Sequence, residues 1–246
     1  MTSPNGNGRR NPTNDWPPPS NSPLPGGSKQ HEVSIAPASY TVPVAAAAVP
    51  TGRPLYGGMA FDACAAPALT SLQAWRQSPY AAVGIYTSGT MRACPFRGGS
   101  AWVDGAVAQG WGLIPIHVGL QAPCVQQANL SLMSRDVPTA RSQGVSEARV
   151  AIAGAQAVGL GAGSALYVDL ENYSMTDPGC SAATVAFVSG WTQELRRQGY
   201  VSGAYGGPGS LMRDMSNAVT SGDPTFVAPD HIWVAHWNQL QTTRDT

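Results

Sequence analysis

Read for the spacing of its apolar positions, the chain changes character near residue 55. From there on, short aliphatic runs alternate with stretches of helical periodicity. The runs are GGMAFD (57–62), AAVGIYTSG (81–89), LIPIHVG (113–119), ALYVDLE (165–171), VSGAYGG (201–207) and HIWVAHW (231–237). Each is short and largely apolar, as strands buried on both faces of a parallel sheet are. Between them, Val185, Val188, Trp191 and Leu195 make a broad apolar face behind Ser181, which suits an N-cap, and Gly199 suits the C′ position. Ser146 opens a second such helix, carrying Val150, Ile152, Ala155 and Val158 and ending near Gly159. Residues 67–77 and 100–109 read the same way, whereas 120–143 read as an extended loop before the third helix. Repeated β–α units of this kind build either a doubly wound sheet or a closed barrel.

Residues 1–54 have a different composition, rich in Pro, Asn, Ser, Gly and Ala with almost no large aliphatics. Such a segment buries too little apolar surface to offset its ordering entropy, so a disordered tail or linker is expected there, with the folded domain over 55–246.

Charge excludes some classes of partner. The formal net charge is zero and charged residues make up 11% of the chain, so nothing draws it toward nucleic acid or an anionic membrane. No run approaches the ~20 apolar residues of a membrane span. The nearest, 42–49, is short and contains Pro43, and no membrane span is expected. Arg9 and Arg10 form a twin-arginine pair, but the polar, proline-rich run 11–27 separates them from that apolar stretch, which argues against an export signal in this numbering. Cys64, Cys94, Cys124 and Cys180 contain no CxxC pair, so a structural zinc site is not expected. Two disulfides, with three possible connectivities, and free buried thiols both remain open. Only four histidines are present, one of them His31 in the tail, so neither a metal nor a cofactor is expected.

In either α/β architecture ligands bind beyond the carboxyl ends of the strands. Asp62 closes the first run and Tyr86 the second; His117 and then Gln121 follow the third. Asp169 and Glu171, then Asn172 and Tyr173, close the fourth, Tyr205 the fifth, and His236 and Trp237 the sixth. Asp169 and Glu171 carry the most weight. Alternate strand residues point to one side, so two carboxylates about 6–7 Å apart at Cα share a cavity and at least one pKa should rise. A general acid needs that condition near neutral pH. The bland alternative is a pair of strand-end acids bridged to Arg. His117 alone reads as readily as a hydrogen-bonded core histidine, and the aromatics as packing. The 206–209 Gly/Pro turn lacks the Lys of a phosphate-binding loop and the spacing of a dinucleotide fingerprint.

Taken in order, GMAFDACAAPALTSLQAW, VGIYTSG, GWGLIPIHVGLQAPC, ALYVDLENY, GYVSGAYGG and IWVAHWN resemble the glycoside-hydrolase-like barrel domain of secreted actinobacterial proteins, a domain-of-unknown-function family. That family is similar to glycoside hydrolase family 25 lysozymes. The resemblance implies an α/β fold of (β/α) TIM-barrel type, incomplete at the C-terminus, with six of eight strands recognisable. It implies Glu171 as general acid, Asp169 orienting an N-acetyl group or stabilising the oxocarbenium-like centre, and Asp62 positioning substrate. Tyr86, His117, Gln121, Asn172, Tyr173, Tyr205 and Trp237 would bind a polysaccharide of N-acetyl sugars, peptidoglycan first. Where the lysozymes carry a further acid near the end of strand six, this chain has His236 and Asn238. Within the implied barrel the four cysteines follow strands one to four, which suggests Cys64–Cys94 and Cys124–Cys180 and an extracellular or cell-wall protein. The function expected is a lysozyme-like glycoside hydrolase; the alternative is a non-catalytic glycan-binding or cell-surface module on the same fold.

Overall fold

The computed structural model describes residues 58–236. The tail expected over 1–54 and Trp237 lie outside the described residues. Strands and helices alternate strictly: β1 Met59–Asp62, α1 Leu69–Trp75, β2 Tyr80–Ser88, α2 Gly99–Ala108, β3 Gly112–His117, α3 Val137–Ala157, β4 Ala165–Asp169, α4 Pro178–Arg197, β5 Val201–Gly206, α5 Leu211–Thr220 and β6 His231–Val234. All six strands are parallel and are hydrogen-bonded in sequence order, β1-β2-β3-β4-β5-β6, in a curled half-barrel. A doubly wound sheet reverses its strand order at a switch point, and this sheet does not.

Strand alternation divides the sheet into two faces. Val83 and Ile85 of β2, Leu166 and Val168 of β4 and Ala204 of β5 are buried in one core with Ile152 and Ala155 of α3 and Phe187, Trp191 and Leu195 of α4. Each large side chain buried there contributes roughly 1.5–3 kcal/mol. The other face is concave and carries Asp62, Tyr86, Ile116, Tyr167, Asp169, Tyr205 and Trp233, which the strand registers place in adjacent rows. Two glycines make room on it. A Cβ at Gly84 would fall 2.7 Å from the Cβ of Asp62, and one at Gly203 would run into the Tyr167 ring.

The helix layer rests on a close crossing of α3 and α4. A side chain at Gly144 would collide with the carbonyl of Phe187, and one at Gly190 with that of Arg141, so the two backbones touch through reciprocal glycines. Both helices begin earlier than the apolar pattern suggests. The α4 helix starts at Pro178 behind Asp177, which accepts from Cys180 N–H (3.1 Å), rather than at Ser181. The α3 helix starts at Val137 behind Asp136, which accepts from Thr139 N–H (3.0 Å), rather than at Ser146. The loop before α3 is therefore shorter than 120–143. In both, proline occupies the first turn, where a missing N–H costs nothing. The ends fall as expected, with Gly159 and Gly199 at positive φ just past the last turns.

The disulfides are Cys64–Cys94 and Cys124–Cys180, the pairing the family resemblance suggested. The second ties the β3–α3 loop to the start of α4. An Arg135–Asp177 ion pair (2.6 Å) closes over the same junction.

Candidate active site

A cavity of about 380 Å³ opens on the concave face at the carboxyl ends of the strands. It lies within the size range of small-ligand sites. Every strand contributes: Asp62 from β1, Tyr86 from β2, Ile116 from β3, Asp169 and Glu171 from β4 and the residues just after it, Tyr205 from β5, and Trp233 to His236 from β6 and its continuation. Register explains the convergence. Tyr86 lies opposite Ile116 and Ile116 opposite Tyr167; one inward position further along, Asp169 lies opposite Tyr205 and Tyr205 opposite Trp233, so two successive layers of inward positions meet in the cavity. Tyr205 and Trp233 meet edge to face with centroids 5.2 Å apart, forming an aromatic wall that continues from Asp169 across the neighbouring strands.

The carboxylates differ in their surroundings. Asp62 is exposed and accepts a 2.6 Å hydrogen bond from the Tyr86 hydroxyl. Burial, that bond and the neighbouring carboxylates push the Tyr86 hydroxyl well above its ordinary pKa, so it stays a donor. Asp169 is buried, with 9% of its surface exposed, and its Oδ1 has no hydrogen-bond partner among the described residues. Burial first, then the charges of Glu171 and Asp62, push its pKa up to about 7. Glu171 is exposed in the same cavity. Among the described residues neither Asp169 nor Glu171 joins an ion pair.

Other residues expected to bind substrate sit elsewhere. His117 points to the convex side and is 1% exposed; its Nδ1 shares a hydrogen bond with Ser88 Oγ (2.8 Å) and its Nε2 pairs with Glu147 (2.5 Å). It clamps α3 to the sheet and does not line the cavity. Gln121 is fully buried, with its carboxamide spent on main-chain groups. Tyr173 is buried and donates to Asp214 (2.7 Å) beneath the start of α5. Asn172 is exposed beside Glu171, with its Oδ1 accepting from Ser210 Oγ (3.0 Å).

Trp233 and Ile116 line the cavity without having been singled out in the sequence. Period-two alternation in HIWVAHW places Trp233 on the same side as His231, but which side faces the cavity follows only from the register with Tyr205. Among the described residues no three His, Cys, Asp or Glu side chains are grouped to hold a metal ion. No described helix is long and apolar enough to cross a membrane.

Comparison with known proteins gives a fold and a family. The 1.07 Å crystal structure of an uncharacterized B. stearothermophilus protein superposes with a TM-score of 0.50 at 18% identity, covering 72% of this chain and 76% of that one, which is likeness of fold. No curated protein matches. The family model described as Rv2525c-like, glycoside hydrolase-like domain matches residues 73–246. With most of its described strands and the Asp169/Glu171 pair inside that match, the chain belongs to the Rv2525c-like, glycoside hydrolase-like domain family.

Proposed function

We propose that the protein is a lysozyme-like glycoside hydrolase acting on a polysaccharide of N-acetyl sugars, peptidoglycan first, on a (β/α) TIM-type barrel. The observation that carries the reading is one cavity holding three carboxylates against an aromatic wall, with the proton of its buried acid retained to about pH 7. Glu171, the exposed member of the pair, is the group that reaches the glycosidic oxygen and donates its proton as the bond to the sugar C1 breaks. The sugar's own acetamido oxygen attacks C1 from the opposite face, a recognised exception to the two-carboxylate scheme. Asp169 lies beneath and orients that acetamido group. Once Glu171 has given up its proton, the two carboxyls share the one that Asp169 retained and face the developing positive charge with a single negative charge. Water then opens the cyclic intermediate and returns a proton to the pair. Asp62, held by Tyr86, positions the sugar, while Tyr205 and Trp233 supply apolar faces for its ring. The two disulfides fit an exported protein.

A second reading, glycan binding without turnover, draws on His236 standing where the similar lysozymes carry a further acid. Incubating the full chain and Glu171→Gln with purified peptidoglycan and chitooligosaccharides separates the two. New reducing ends from the wild type alone support the hydrolase. Saturable binding by both proteins without new reducing ends selects the binding module.

A further inference from the structure

The β3–β4 ladder stops short of the acids. Ile116 faces Tyr167 and His117 faces Val168, and no further rung from β3 reaches Asp169, Leu170 or Glu171. On the other side the same stretch is held, with Asp169 opposite Tyr205 and Leu170 N–H donating to Tyr205 O at 3.1 Å. A strand end tied on one side alone would be free to tilt, carrying both carboxylates with it.

Gln121 occupies the open side. Its Nε2 donates to Asp169 O at 2.8 Å, and its Oε1 accepts from Glu171 N–H at 2.8 Å. Donating to one residue and accepting from the residue two further on is how a main-chain peptide grips its neighbour in a parallel ladder. Here the gripped residue is Leu170 and the peptide is a side chain. The remaining amide proton reaches Gly119 O at 3.4 Å. Gln121 is itself pinned, its N–H donating to Ser131 O (2.8 Å) and its carbonyl accepting from Met133 N–H (2.9 Å). With no exposed surface and every polar atom engaged, it has nothing left for a substrate.

We propose that Gln121 is a positioning residue whose carboxamide replaces a missing strand rung and sets the main-chain geometry from which Asp169 and Glu171 are aimed into the cavity. Its kinetic consequence rests on the hydrolase reading; the clamp itself is read without substrate. Displacement of a reacting group by ~1 Å costs on the order of a hundredfold in rate.

The test compares the full chain with Gln121→Met, which keeps length and bulk but neither hydrogen bond, and Gln121→Glu. The glutamate still accepts from Glu171 N–H but donates to Asp169 O only when protonated. In Gln121→Met, hydrogen exchange at the Glu171 amide should quicken by about tenfold while amides of β2 and β5 keep wild-type rates. On chitooligosaccharide, kcat should fall about a hundredfold with KM within about threefold of wild type. The kcat of Gln121→Glu relative to Gln121→Met should climb as pH is lowered, which loss of packing alone would not produce. Unchanged Glu171 exchange in a folded Gln121→Met overturns the clamp even if the wild type cleaves nothing, in which case the hydrolase reading falls separately. Wild-type kcat in that variant overturns the positioning role and leaves the hydrolase reading standing. Should Gln121→Met not fold, a kcat of Gln121→Glu in constant ratio to wild type at every pH overturns the proposal.

Discussion

The two faces of the sheet treat buried acids in opposite ways. Behind the convex face, Glu194 is buried and accepts from Arg149 (2.9 Å), twice from Arg197 (2.8 and 2.7 Å) and from Gln198 (3.2 Å). Those donors hold its carboxyl down at about 2. Nearby, Asp230 takes Arg196 (2.6 Å) and the Ser202 N–H (2.8 Å). On the concave face Asp169 is also buried, and burial together with its acidic neighbours pushes it up to about 7. Burial is common to both, and the partners decide the direction. The consequences for stability have opposite signs. Glu194 contributes stability that is present above its ordinary range and is lost as pH falls toward about 2. Asp169 favours the folded state while protonated, and that contribution is lost as pH climbs from the ordinary carboxylate range through about 7. One face is arranged to hold the fold together and the other to keep a proton available, at a cost in stability.

The contrast can be broken most severely at Glu171. Glu171→Gln should lower kcat by about 10²–10⁴-fold while shifting the melting temperature by no more than about 2 °C, read by reducing-end release and calorimetry. A matching loss of stability would mean that the concave face is structural too. Next in size is Asp169→Asn. Between pH 5 and 8 the wild type should lose on the order of 3 kcal/mol that the variant keeps, so denaturant titrations across that range should slope downward for the wild type and run flat for Asp169→Asn.

On the other face, Gly144→Ala pushes a methyl group into the main chain of α4 at Phe187 and Trp191. It should cost about 1–3 kcal/mol in denaturant titration and leave turnover per folded molecule unchanged. The smallest effect belongs to Tyr86→Phe, which removes one hydrogen bond to an exposed carboxylate. A stability change of about 0.5–1 kcal/mol is expected, and a larger one would show that Asp62 depends on that hydroxyl far more than its exposure suggests.

Much of this was legible in the sequence because buried parallel strands announce themselves as unbroken apolar runs. All six strands fall where those runs lie, and the acids and tyrosines at their ends meet in one cavity. What failed to show was anything depending on register or on main-chain partners. His117 sits one residue past Ile116, so when Ile116 faces the cavity the imidazole must face the helices, but LIPIHVG alone does not say which parity is inward. Gln121 and Tyr173 lie in loops, where no periodicity separates a side chain aimed at a ligand from one aimed at a carbonyl or a buried aspartate. The starts of α3 and α4 were missed because Asp136-Val137-Pro138 and Asp177-Pro178 resemble turns. The same residues, an aspartate cap with proline in the first turn, are equally a helix start.

The account depends on Asp169 holding its proton into the neutral range because it is buried near other acids and joins no ion pair among the described residues. Carboxyl-labelled NMR of the full chain, with Asp169→Asn to assign the resonance, measures that directly. The account predicts a midpoint near 7 for Asp169. A midpoint in the ordinary carboxylate range near 4 would contradict it, and with it the claim that the concave face keeps a proton in store for chemistry.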